Sequence, residues 1–234
     1  MYQGDLLNLN EIVQTVALDN PYTYLGPELV AGDIFRTLMT AGRTDVLPTA
    51  QQIINALQGS YNIITPPGNE LYGIQPTRQV SLAWPANLAP FQPGSTFRRR
   101  ITATTAFALT MSVPANSGIS LAAAPYDQTI IAASSWRDFL FQILSSSPTQ
   151  IIAVNQTNAT KPLTVPTADL AKCNQITPGM SAYGTNIAAN SKVVSVNRDT
   201  GIITLDTNVT ATLALNPVTF TPTVVCYGMG GGPK

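Results

Sequence analysis

The stretch TFRRRITATTAFALTMSV, residues 96–113, alternates in side-chain character along its whole length. Phe97, Arg99, Ile101, Ala103, Thr105, Phe107, Leu109, Met111 and Val113 take the odd positions, and the even positions are almost all Thr, Arg, Ser or Ala. A period of two sends successive side chains to opposite faces of a sheet. Strands usually run about 3–10 residues. The run is therefore read as two strands meeting near Thr104, Thr105 and Ala106.

Working outward, the pattern repeats in shorter pieces. Strands are expected within 32–40, 79–84, 119–122, 129–132 and 149–154, and at 136–144, where Arg137, Phe139, Phe141 and Ile143 share a face. One helix interrupts them at 47–57. Pro48 suits its first turn, Ile53, Ile54 and Leu57 form its apolar stripe, and Gly59 is placed to end it. Residues 59–77 read as a Pro/Gly-rich loop. Asn155–Lys161 is a polar joint. Beyond it, 192–196 and 202–205 flank a hairpin turn ending in Gly201. A last apolar run, 218–227, is interrupted by Pro222, which assigns part of it to an edge or bulge. The glycine-rich tail from Gly228 is expected to be mobile.

The fold class that follows is all-β: a β-sandwich or jelly-roll-like body with one short helix, plus a small C-terminal β extension. The expected division is an N-terminal arm over 1–45, a body over 46–155 and a C-terminal β-domain over 156–234. In the arm, Leu6, Leu7, Leu9, Ile12, Val13 and Val16 suggest a short helical stretch, which Pro21 and Pro27 then break. An arm of this kind suits an assembly contact.

Hydrophobic residues make up 44% of the chain and charged residues 10%, against roughly 25% charge in ordinary soluble domains. Such a surface loses little on burial between subunits, because few charges must be stripped of water. Net charge is zero, so nothing draws the chain toward nucleic acid or an anionic membrane. No segment reaches the roughly 20 apolar residues of a membrane span, and the first residues lack a secretory pattern. Synthesis and use in the cytoplasm are expected. The sequons at Asn155, Asn158 and Asn208 are then incidental.

Chemistry is poorly represented. Histidine is absent, which removes the commonest general base and imidazole metal sites. The glutamates are Glu11, Glu28 and Glu70, and none forms a paired acid and base with an aspartate. Asp138 near Trp136 could grip a sugar, but neutralising Arg98, Arg100 or Arg137 is the favoured role. The glycines at 228–232 precede no helix, so they make no phosphate cradle. Asp199 and Asp206 are too isolated for a calcium loop. Cys173 and Cys226 form no zinc set without histidine, and spacing leaves open whether they are bridged. No catalytic residue, cofactor or metal is expected, and the chain is read as a non-enzyme.

Three pieces in this order resemble a known module: Leu47–Leu57, then Gly94–Thr102 with Ala106–Met111 and Ser117–Leu121, then Thr129–Leu140. The module is a β-rich unit of virion structural proteins of tailed phages and large DNA viruses. The resemblance covers roughly residues 34–155. The loop before Gly94 is longer here, and the usual glycine-rich turn is replaced by Val113–Ile119. A second piece, Ile176–Val196 followed by Gly201–Leu205, is similar to a hairpin repeat of viral fibre and capsid-associated proteins. The two resemblances imply a decoration, cement, vertex or fibre protein of the virion, with its own copies in a homotrimer and the major capsid or other virion proteins as partners. The alternative is a fibre tip that recognises host glycans through exposed Tyr and Trp. The interface candidates are Tyr22, Tyr24, Arg98, Arg100 and Trp136.

Overall fold

The computed structural model describes residues 14–58 and 93–233. Strand accounts for 46% and helix for 12%, so the protein is all-β. In chain order the elements are β1 (Gln14–Ala17), α1 (Gly26–Ala31), β2 (Ile34–Thr37), β3 (Arg43–Val46), α2 (Ala50–Gln58), β4 (Thr96–Ala103), β5 (Leu109–Ser112), β6 (Ile119–Leu121), β7 (Ile130–Ile131), β8 (Ser135–Ser145), β9 (Gln150–Gln156), β10 (Pro162–Thr164), a 3₁₀ segment (Thr167–Gln175), β11 (Ser181–Tyr183), β12 (Val193–Asn197), β13 (Ile202–Leu205), β14 (Leu213–Thr221) and β15 (Thr223–Pro233).

The alternating run divides at 104–108, between β4 and β5. Its halves enter different layers. β4 lies in a six-stranded sheet of order β1-β2-β4-β8-β15-β6, and β5 in a three-stranded sheet of order β3-β5-β7. One core lies between the layers. Phe97, Ile101, Phe139, Phe141, Ile143, Val224 and Cys226 come from the first sheet, Leu109, Met111 and Ile131 from the second, and Ile53, Ile54 and Leu57 from α2. Phe97 and Phe141 pair across β4 and β8 with rings stacked 4.9 Å apart. The start of α2 is a capping box: the Gln52 amide donates to Thr49 Oγ1 and the Thr49 amide to Gln52 Oε1.

A second six-stranded sheet, order β11-β14-β9-β10-β13-β12, builds a separate core from residues such as Ile152, Val154, Leu163, Ile203, Val218 and Phe220. The expected hairpin is there: β12 and β13 pair antiparallel, with Gly201 at φ +68° in the turn.

Four expectations need correction. Residues 14–45 are not an arm. β2 pairs with β4, β3 pairs with β5, and Tyr24, Leu29, Val30, Ile34 and Met39 enter the body core. The stretch around Val16 is strand rather than helix, because β1 pairs in parallel with β2. The joint expected at 155–161 is a hairpin inside the second sheet, with Gln156 opposite Leu163. The chain crosses between units after Ser145 and again at Pro222, so the second unit is an insertion. Finally, the tail is not loose. β15 is an interior strand between β8 and β6, and Gly231, Gly232 and Pro233 pair with Arg137, Trp136 and Ser135. Glycine is required at Gly228, where an added Cβ would lie 1.8 Å from the Gln128 carbonyl oxygen. The strand expected at 79–84 and the loop at 59–77 lie outside the described residues.

Candidate interaction surface

The three consecutive arginines of β4 alternate as a strand demands. Arg98 and Arg100 face outward from the body, opposite Leu140 and Asp138 of β8, while Arg99 faces the other way. Arg99 donates from Nε to the Leu29 carbonyl at 2.8 Å and from a terminal nitrogen to that of Val30. These are carbonyls at the end of α1, which lack partners within the helix.

On the outward face, Asp138 is the hub. Arg100 Nε donates to its Oδ1 at 3.0 Å and Arg98 to its Oδ2. Its side chain is 5% exposed, against 58% for Arg98 and 40% for Arg100. Burial pushes the Asp138 carboxyl up, but the hydrogen bonds and charges of the two arginines outweigh it and leave it below its ordinary value. Arg100 also lies over the ring of Trp136, 4.0 Å from its centroid. Across the strands, the Gly232 Cα–H region lies against the same indole, and an added Cβ there would come within 3.5 Å of it.

This arrangement makes a pH prediction. A carboxyl held below its unfolded value contributes stability that is present above about pH 4 and is lost as pH falls through the folded value. Asp138→Asn should cost about 1–2 kcal/mol near neutrality, modest because both guanidinium groups remain partly solvated. The gap between variant and parent, read by thermal unfolding at pH 7 and at pH 2, should narrow in acid. An equal gap at both would mean the arginines gain nothing from the charge.

Tyr22 and Tyr24 lie elsewhere, and Tyr24 corrects the expectation made for it. It is fully buried, so it serves its own core rather than a contact with another chain. Its hydroxyl donates to Asp45 Oδ2 at 2.8 Å. Asp45 also accepts from the Tyr22 amide at 2.9 Å and from Arg36 Nε at 2.8 Å, and both charged side chains are fully buried. The remaining nitrogens of Arg36 donate to the carbonyls of Val16, Leu18 and Asn20. Burial and the Asp45 charge push the Tyr24 phenol upward. Tyr22 is half-buried and donates to Glu28 Oε1 at 2.7 Å; this bond pushes its phenol up to about 12. The network ties β1, β2 and β3 together and leaves Tyr22 as the partly accessible member.

A cavity of about 460 Å³ opens where the two units meet. Tyr126 and Tyr227 stand edge to face with centroids 6.2 Å apart, and Leu121, Leu144, Val225 and Lys192 complete much of the wall. Around the junction, the Gly118 amide donates to Tyr183 Oη, Gln51 Oε1 accepts from both the amide and hydroxyl of Thr149, and the hydroxyls of Ser181 and Thr223 pair at 2.7 Å. Sequence reading missed Tyr126, Tyr227 and Lys192. They are far apart in the chain, and only the insertion topology brings them together.

Cys173 and Cys226 are free and buried in different cores. Burial pushes the Cys226 thiol up to about 12, so it packs as a small hydrophobe. Among the described residues no group of three or more His, Cys, Asp or Glu gathers to hold a metal ion, and no helix is long and apolar enough to cross a membrane. Compared with family models, curated proteins and solved structures, the chain matches none of them.

Proposed function

We propose that the protein is a non-enzymatic structural component of a virion: a capsid-associated decoration or cement, vertex or fibre protein that acts as a homotrimer against the major capsid protein. The observation that carries this reading is the make-up of its surface. Charge is scarce, at 10% of residues, and large apolar side chains stand exposed on both units, among them Leu38, Tyr126 and Ile130 in the body and Ile151 and Leu215 in the insertion. Packing such a surface against neighbours strips few charges of water. The resemblance of residues 34–155 to virion modules points the same way.

The alternative, glycan recognition by a fibre tip, has Trp136 as its best residue. Arg100 covers that ring and Asp138 is already engaged by two arginines. A sugar would have to displace an ion pair before it could stack. That counts against the alternative.

The test is made on particles. Antibody against the purified chain should label intact virions, and particles lacking the protein should lose resistance to heat while still adsorbing to cells. Loss of adsorption with unchanged particle stability would favour the glycan-binding tip. Absence of label would reject the virion reading.

A further inference from the structure

The pocket between the two units is built on a fixed frame. Val225 and Tyr227 of β15 turn away from the body core, because Val224 and Cys226 turn into it. Ser120 of β6 lies beside Val225 in the parallel pairing. With Leu144 of β8 these residues line one side, and residues 121–124 and Tyr126 line the next. Lys192 is the insertion's contribution. It bridges to Ser181 of β11, which closes the two end strands of the second sheet on each other. The Lys192 amide donates to Asp206 Oδ1 at 2.8 Å, so the backbone that carries the ammonium is held.

The chemistry facing this space has one sign. The ion pairs among the described residues engage Arg36, Arg43, Arg98, Arg100 and Lys172, and none engages Lys192. Asp206 meets the Lys192 amide and does not pair with its ammonium. Among the described residues no carboxylate lines the pocket, and the Ser120 and Tyr126 hydroxyls have no hydrogen-bond partner. The Tyr227 hydroxyl is already spent on Gln142 Oε1 at 2.7 Å. Tyr126 is 51% exposed, yet its backbone is tied on both sides: its amide donates to the Ala123 carbonyl at 3.0 Å, and its carbonyl accepts from the Gly228 amide at 2.8 Å. An exposed ring on a pinned backbone loses little freedom when something stacks on it.

We propose that this pocket binds a carboxylate carried on a compact ring, with the acid on Lys192 and the ring against Tyr126. The volume of about 460 Å³ falls within the roughly 300–1,000 Å³ of small-molecule sites. One ammonium balances one negative charge, which favours a carboxylate over a phosphate dianion. A cationic ligand would meet the ammonium with no acid to offset it. A neutral apolar ligand would strip the ammonium of water without pairing it. Two sources carry the required chemistry, an acidic sugar and an aromatic acid. The lining comes from both units, so the bound ligand also ties the insertion to the body. The site does not rest on the virion reading.

The experiment is calorimetric titration of the full chain with glucuronate and with benzoate, each beside its neutral counterpart, glucose or benzamide. At least one acid should bind, and its counterpart about tenfold or more weakly. Glucuronate alone identifies the sugar acid, benzoate alone the aromatic acid, and binding of both a site that reads only the shared acid and ring. Lys192→Gln should weaken the bound acid about tenfold or more, and Tyr126→Ala should weaken it too. Lys172→Gln, which removes a lysine already paired with Asp169, should bind as the parent does. Amide chemical shifts of the parent keep the test independent of how the variants fold: on titration they should move at 120–126, 192 and 225–227. The proposal is overturned if neither acid binds, if the neutral counterparts or inorganic phosphate bind as tightly, or if the shifts move elsewhere. It is also overturned if Lys192→Gln binds like the parent, or if Lys172→Gln weakens binding as much. An acid that binds in this way to a protein absent from virions supports the site and rejects only the virion reading.

Discussion

Asp45→Ala should cost about 3–5 kcal/mol, the range for breaking a buried ion pair by removing one partner. The loss is large because it strands Arg36, which is fully buried beside it, and deprives the Tyr24 hydroxyl and the Tyr22 amide of their acceptor. Against a total of about 5–15 kcal/mol for a folded domain, the variant should lie near the edge of folding. Urea unfolding measures this directly. Asp45→Asn, which keeps the shape and can still accept hydrogen bonds, should lose less. Replacing the pair together, as Arg36→Met with Asp45→Leu, should cost less than the sum of the single changes, because no charge is then left alone in the core. Additive losses would show that the two side chains act independently.

Ending the chain after Pro222 should have a still larger effect. β15 is flanked by β8 on one side and β6 on the other, and it brings Val224 and Cys226, both fully buried, to the body core. Each buried apolar side chain of this size is worth about 1.5–3 kcal/mol, and among the described strands β6 pairs only with β15. The truncated body should lose cooperative unfolding and protection from hydrogen exchange in β4 and β8. The insertion has a core of its own and should keep its protection in β9 and β14. Retained protection throughout the body would mean that β15 is dispensable.

The sequence carried the strands better than their destinations. The alternation of 96–113 and 136–144 reports which side chains share a face, because that depends on the period alone. The sequence leaves Arg98, Arg100 and Arg137 all open as partners of Asp138, and the structure pairs it with Arg98 and Arg100. Sheet membership depends on pairing between distant segments, and periodicity does not encode it. Pro222 is visible as an interruption, but the pattern on either side of it reads as one strand with an edge or bulge. Its two sides instead enter different sheets. The glycines after Tyr227 suggest a mobile tail, yet two of them are small because other backbone passes close by: the Gln128 carbonyl at Gly228 and the Trp136 carbonyl at Gly231. Tyr24 looked like an arm residue because its environment is supplied by Arg36 and Asp45, neither of which is adjacent in the chain.

Ser145 and Thr223 are direct neighbours across the β8–β15 ladder, so the chain leaves the body and re-enters it at almost the same point. This imposes an order on synthesis. Everything between the two crossings emerges from the ribosome before the strand that completes the first sheet, and domains tend to fold as units when they emerge. The insertion can therefore close on its own core while the body still waits with β8 unpaired on one side. Residues 223–233 finish the unit that the strands up to β8 begin. Until then, an incomplete sheet edge is open to neighbouring chains, and the synthesis of residues 146–222 is the interval in which misassembly competes with folding.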